Sequence, residues 1–209
     1  YLNGSIITVD GGLSIKSMEN LSNIINKNFV EHRELLEVCK KNLSRSIIKA
    51  VEIITNSIKK NNLILWCGNG GSASDSMHYS SEFIGRYKNN RKPLRSISLS
   101  SDQAAITCIA NDFGYEKIFS RQVDGLGKAG DVLVCLTTSG NSKNIINAIK
   151  SAKKKKLQTL LISGNKGGKC AKLCSHEILI PSSTTSRIQE MQLIIGHLII
   201  ELAEKKLDI

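Results

Sequence analysis

Five short, mostly apolar runs alternate with helical stretches over most of this chain, and that alternation limits the fold more than any other feature. The runs are Leu63–Cys67, Leu94–Leu99, Val132–Leu136, Thr159–Ile162 and Glu177–Ile180. Each is too short for a helix and reads as a strand buried on both faces. Between and after them the pattern predicts helices over Ser72–Lys88, Asp102–Ile109, Tyr115–Leu126 and Ser142–Lys155, a short one near Gly168–Leu173, and a long one from about Thr185 to Lys206. Parallel neighbours need crossover helices, so this order implies an α/β fold: one parallel sheet with helices on both faces. Ligands in such sheets bind at the C-terminal ends of the strands, where the strand order reverses.

Residues 17–60 precede the first strand and read as helical in two pieces. Leu21, Ile24, Ile25, Phe29, Leu35, Leu36 and Val38 form one apolar stripe; Ile47, Ile48, Val51, Ile54 and Ile58 form a second. That is more cover than a small sheet needs, so these helices are expected to meet another subunit. Residues 1–16 differ from the rest: a short strand is expected over Ser5–Val9, stopping at Asp10-Gly11-Gly12.

The first strand runs into Gly68-Asn69-Gly70-Gly71-Ser72 and then a helix. A glycine-rich turn at a helix N-terminus lets backbone N–H groups and the helix dipole face an anion, although such turns also close sheets that bind nothing there. On that helix His78 and Glu82 are four apart and share a face, the spacing of an acid–base or metal pair and equally of a solvated one. The third strand ends in Thr137-Thr138-Ser139-Gly140-Asn141-Ser142 before another helix. So many hydroxyls at a helix N-terminus suit a terminal phosphate monoester, and neither a G-x-G-x-x-G nor a Walker A pattern is present.

Composition narrows the class. The formal net charge of +11 invites a nucleic-acid reading, but aromatics are only 4% and do not interleave with the basic residues. The lysines cluster at Lys59-Lys60 and Lys153–Lys156, where predicted helices end and positive charge suits the dipole. A field that draws in anionic substrates accounts for the charge, and no nucleic-acid partner is expected. No apolar run approaches the roughly 20 residues of a membrane span, so no membrane partner is expected either. The six cysteines are scattered without metal-site spacing, as in a protein of the reducing cytoplasm.

Taken together, Gly68–Ser72, Met77-His78 with Glu82, Asn111-Asp112-Phe113-Gly114, Thr138–Ser142 and Arg187-Ile188-Gln189-Glu190 resemble the phosphoheptose isomerases of the sugar isomerase (SIS) domain superfamily, with the motifs in order from about Asn20 to Lys206. The resemblance implies a SIS domain over residues 17–209 with a flavodoxin-like three-layer sandwich around a five-stranded parallel sheet. It also implies a homotetramer with active sites at subunit interfaces, and conversion of sedoheptulose 7-phosphate to D-glycero-D-manno-heptose 7-phosphate, the first step toward activated heptose. By the same resemblance Ser72, Thr137, Thr138, Ser139 and Ser142 hold the sugar phosphate, Asn69, Gly70 and Gly71 line the substrate, and Asn111 and Asp112 contact it. His78, Glu82, Gln189 and His197 match positions that bind zinc in zinc-containing members, and Glu82 and His197 match the acid–base pair. Without the resemblance, His197 between Ile195 and Ile199 reads as a packed core histidine. Gln189 and His197 are eight apart, roughly 12 Å along a helix, so they converge only if both lean inward.

Two residues depart from the pattern: Ser186 stands where many members have Asp, and Gln192 where His is frequent. A relative of a different class, a non-enzymatic tetramer that binds the bacterial replication initiator, shares the glycine loop but lacks the Glu and His at positions 82 and 197. Another phosphosugar isomerase or a sugar-phosphate sensor on the same fold is a further alternative. Residues 1–16 resemble the closing tail of short-chain dehydrogenases and read as a leader or the remnant of an upstream dehydrogenase-like domain.

Overall fold

The computed structural model describes residues 13–209; the strand expected over Ser5–Val9 and its turn lie outside the described residues. The five expected strands form one all-parallel sheet: β1 (Ile64–Gly68), β2 (Ser96–Ser98), β3 (Val132–Thr137), β4 (Gln158–Ser163) and β5 (His176–Leu179), in the order β2-β1-β3-β4-β5. This is the flavodoxin-like order, with its switch point between β1 and β3. Every residue of β1 and β3 is buried, which is why both read as unbroken apolar runs.

Side chains that alternate along each strand build two cores. Ile64, Trp66, Val132, Val134, Leu136 and Leu160 face α1 (Leu13–Lys59), α2 (Gly71–Ile84) and α6 (Thr185–Leu207). Leu65, Cys67, Leu133, Cys135 and Leu161 face the other way, toward α3 (Gln103–Phe113), α4 (Ser120–Leu126) and α5 (Lys143–Lys154).

Several boundaries differ from expectation. The two N-terminal helices are one helix of 47 residues, begun at Leu13. Nothing between Leu13 and Lys59 is Gly or Pro, so the shift between its two apolar stripes has no breaker to act on, and Leu43 is buried across the join. Helix α2 stops at Ile84 because Gly85 follows, with its N–H on the Ser81 carbonyl. The region expected to be a helix near 168–173 is a pair of 3-10 turns over Asn165–Cys170, with Lys166, Gly167 and Gly168 at positive φ. Among the described residues no helix is long and apolar enough to cross a membrane.

Candidate active site

The register that pairs Cys67 with Cys135 and Gly68 with Leu136 makes the two loops leave the sheet side by side, at the switch point. The first is the glycine loop. Gly70 has φ 55°, and the Asn69 and Gly70 carbonyls accept from Ser72 and Ala73 N–H, which starts α2 with Ser72 buried beneath it. The second loop folds on its own hydroxyls: Thr137 Oγ1 accepts Gly140 N–H at 3.2 Å, and Ser139 Oγ accepts Asn141 N–H at 3.2 Å. Gly140 has φ 67° and lies so close to the Gly167 carbonyl that a Cβ would collide with it. The 3-10 turn braces this loop, with Cys170 N–H on the Gly140 carbonyl and Lys169 N–H on Asn141 Oδ1. Thr138 is half-buried, and Ser142, half-buried at the N-cap of α5, makes no side-chain cap bond.

The chemistry-bearing side chains meet where α2 and α6 run alongside each other. Gly196 on α6 has no room for a Cβ against the Tyr79 ring, and the Tyr79 hydroxyl donates to the Gln192 carbonyl at 2.8 Å. That close approach brings His78 Nε2 to 2.9 Å from His197 Nε2, and Glu82 Oε1 to 3.7 Å from His78 Nε2. One donor atom from each of His78, Glu82 and His197 lies within 4.8 Å of the others. A bond between two imidazoles requires one to accept and hence to be neutral. His197 is the better suited, since burial and then the neighbouring His78 push its pKa below the usual imidazole value, with Glu82 opposing. Its ring also stacks on Tyr87, with centroids 5.6 Å apart.

Gln189 is placed differently from the other three. Its amide lies against Gly71 in the first turn of α2, seven residues or roughly 10 Å along the axis from His78. Asn111 and Asp112 are exposed at the end of α3 and bond to each other (2.8 Å), with Cys108 Sγ 3.7 Å from Asp112, rather than to either loop. Gln192 is fully buried: its amide donates to the Ile162 carbonyl at 2.8 Å and reaches the Thr137 carbonyl at 3.4 Å, while its Oε1 has no partner.

Sequence reasoning missed three residues here. Asn144 and Tyr115 both bond to the Asn69 side chain. Asp75 precedes His78 by one turn, and burial raises its carboxyl above the usual range while His78 pulls it down. Asp75 shares the helical face of His78 and Glu82, a spacing visible in the sequence. Asn144 lies just past the end of the hydroxyl-rich motif and carries no signal of its own. A cavity of about 430 Å³ between α4 and α5, lined by Lys117, Arg121, Lys150 and Lys154 among others, contains none of the expected site residues.

Three comparisons relate the chain to known proteins. The SIS domain family matches residues 28–164. The phosphoheptose isomerase of Helicobacter pylori (strain ATCC 700392 / 26695) is 43% identical over 185 residues, covering 88% of this chain and 96% of that protein. That of Aliarcobacter butzleri (strain RM4018) is 40% identical over 187 residues, covering 90% and 99%. Among solved structures, phosphoheptose isomerase from Neisseria gonorrhoeae superposes with a TM-score of 0.84 at 34% identity, over 88% of this chain and 99% of that one. A parallel sheet in flavodoxin-like order, two anion-ready loops at its switch point and similarity over nearly the whole length of these proteins lead to one conclusion: the chain belongs to the phosphoheptose isomerase family of SIS-domain proteins.

Proposed function

We propose that the protein interconverts sedoheptulose 7-phosphate and D-glycero-D-manno-heptose 7-phosphate by enediol proton transfer. The observation that carries the reading is the meeting of His78, Glu82 and His197, two of them on the helix that the glycine loop starts. The loops take the phosphate: Ser72, Thr137, Thr138, Ser139 and Ser142 supply hydroxyls and first-turn N–H groups at two helix N-termini. Asn69, Gly70, Gly71 and Gln189 are assigned to line the sugar, and Asn111 and Asp112, which here bond each other at the end of α3, to contact it.

Glu82 is the base. It takes a proton from C1 of the ketose and returns it to C2, the C1–H electron pair passing into the C1–C2 double bond of the enediol. As the C2 carbonyl oxygen gains a proton and the C1 hydroxyl loses one, His197 carries the proton between them. A neutral imidazole at the start suits that role, and the depressed pKa of His197 favours it. The nitrogen, nitrogen and oxygen donors of His78, His197 and Glu82 fit the set that zinc takes in sites with an open position. A zinc ion held by these three residues would supply Lewis-acid polarisation of the sugar oxygens. Gln189, whose amide lies against Gly71 about 10 Å along α2 from His78, is proposed for that set through the family resemblance and not through this contact. Having both Glu82 and His197 at one contact supports an isomerase over a non-enzymatic adaptor.

The exposed apolar side chains of α1, Leu21, Ile24, Ile25 and Phe29, support a homotetramer. The product would feed the synthesis of activated heptose for surface polysaccharide in the cytoplasm. The test is incubation of the purified protein with sedoheptulose 7-phosphate, with and without a chelator, following the aldose phosphate. Turnover that chelation abolishes and zinc restores is the expected result. Glu82→Gln should lower kcat by at least about 100-fold, the scale of a lost general base, while inorganic phosphate still binds. Undiminished turnover in that variant would remove Glu82 as the base.

A further inference from the structure

We propose that Asn144 is a positioning residue that clamps the glycine loop to the hydroxyl-rich loop, with Tyr115 holding the clamp from a third side; the proposal rests on the isomerase reading above. Asn69 leaves the end of β1, and Asn144 is the second residue of α5, two positions after Ser142. Their side-chain amides bond reciprocally: Asn69 Nδ2 donates to Asn144 Oδ1 at 3.0 Å, and Asn144 Nδ2 donates to Asn69 Oδ1 at 2.8 Å. Among the described residues these two are the only side-chain hydrogen bonds joining residues 69–72 to residues 137–144.

The partners around the pair fix its orientation. Asn144 Oδ1 also accepts Ile145 N–H at 2.9 Å, and Asn144 is 3% exposed. Asn69 Oδ1 also accepts the Tyr115 hydroxyl at 3.1 Å, from a ring left 57% exposed. With both amide oxygens doubly engaged, neither amide can flip without losing two bonds. Asn69 keeps one N–H uncommitted, at a fixed place beside the crevice, for a sugar hydroxyl.

Helix stability alone does not call for asparagine here. In the first turn of α5 an aspartate would suit the dipole as well or better and would still accept the Ile145 N–H. Only an amide both gives to and takes from Asn69. A substrate whose phosphate is shared between Ser72 and the hydroxyls of the second loop, and whose sugar lies along the glycine loop, needs the two loops at a set separation, and a misplacement of about 1 Å can cost about 100-fold in rate.

The test uses Asn69→Ala, Asn144→Ala, their double variant and Asn144→Asp in the full chain. Each alanine variant should lose about 100-fold in kcat/KM, and the double variant should lose no more than the worse single, because the residues act as a unit. Asn144→Asp keeps the side-chain shape and the Ile145 N–H bond but sets a carboxylate oxygen against Asn69 Oδ1 at a buried site. It should therefore lose kcat/KM as the alanine variant does while still giving folded helical circular dichroism at the assay temperature; wild-type kcat/KM in this variant would overturn the clamp. Losses that multiply, or Asn144→Ala with wild-type kcat/KM, would overturn the clamp. A second readout needs no turnover. In Asn144→Ala, affinity for sedoheptulose 7-phosphate should fall at least about tenfold, and by clearly more than affinity for inorganic phosphate, four of whose five proposed hydroxyl partners lie together in the second loop. Equal weakening of both ligands would mean that the α5 N-terminus had simply come apart, and the proposal would fail. If the wild type bound the sugar phosphate without isomerising it, the proposed function would fall, and this binding ratio would still decide the clamp.

Discussion

Position 196 on α6 admits no side chain, because a Cβ there would run into the Tyr79 ring. Gly196→Ala has two opposed effects. Alanine raises helix propensity by about 0.5–1 kcal/mol, whereas forcing extra volume into a close helix contact costs about 1–3 kcal/mol. The clash should win, because Tyr79 is fully buried and its hydroxyl is held by the Gln192 carbonyl, so the ring cannot swing away. The expected outcome is a lower melting temperature together with a loss of kcat, since displacement of α6 opens the 2.9 Å contact between His78 and His197. Thermal denaturation and steady-state kinetics on the same preparation check both. A variant as stable and as active as wild type would show that the two helices relax apart at no cost to the site. The same geometry explains what the sequence could convey about His197. Its apolar neighbours signal burial, but its meeting with His78, 119 positions away, depends on the packing of two helices, which periodicity does not report.

Helix α2 must be held at both ends for Glu82 to keep its place, and the elements divide the task. The glycine loop starts the helix; its C-terminal end is secured from a distance. Arg91 donates to the Glu82 carbonyl at 2.7 Å and to the Phe83 carbonyl at 2.8 Å, satisfying two of the last-turn carbonyls that a helix leaves unpaired. Its Nε is 2.8 Å from Glu204 near the end of α6, and both side chains are almost wholly buried. Arg91→Ala leaves the Glu204 carboxylate buried without its partner, for which the expected cost is about 3–5 kcal/mol. Urea denaturation should show it, and Arg91→Ala paired with Glu204→Leu should recover part of the loss; equal stability of the single and double variants would deny the unpaired charge. None of this was legible from sequence, because the chain from Gly85 to Leu94 has no period and an Arg there reads as one more surface cation. The strands, by contrast, were plain, because burial on both faces writes itself as an unbroken apolar run. The turns after β1 and β3 were plain as well, because the positive φ at Gly70 and Gly140 favours glycine. Helix α1 was misjudged as two helices because its apolar stripe changes phase, and the reason for that change belongs to the whole molecule.

Along α1 the two stripes have different audiences. Leu43, Ile47, Ala50, Val51 and Ile54 are buried against the protein's own sheet and α6. Met18, Leu21, Ile25 and Phe29, at spacings of three and four, form one side of the helix and remain 70%, 59%, 56% and 73% exposed. Monomeric proteins rarely leave a contiguous apolar strip of this kind in water, and the proposed homotetramer supplies its cover. Because α1 also carries His32, whose ring bonds Glu190 at 2.8 Å, and Glu190 in turn holds Arg187 at 2.7 Å, the helix that would meet a second copy is tied to the start of α6 beside Gln189. Assembly and activity are therefore expected to fail together. Replacing Ile25 with Asp and Phe29 with Glu puts charge into the strip without touching the folded core. Sedimentation should show a tetramer for the wild type and smaller species for the double variant, with unchanged helical circular dichroism and reduced turnover that rises again with protein concentration. A wild-type protein that sediments as a monomer would remove the interface. A dissociated variant of full activity would keep the interface and place the whole active site within one chain.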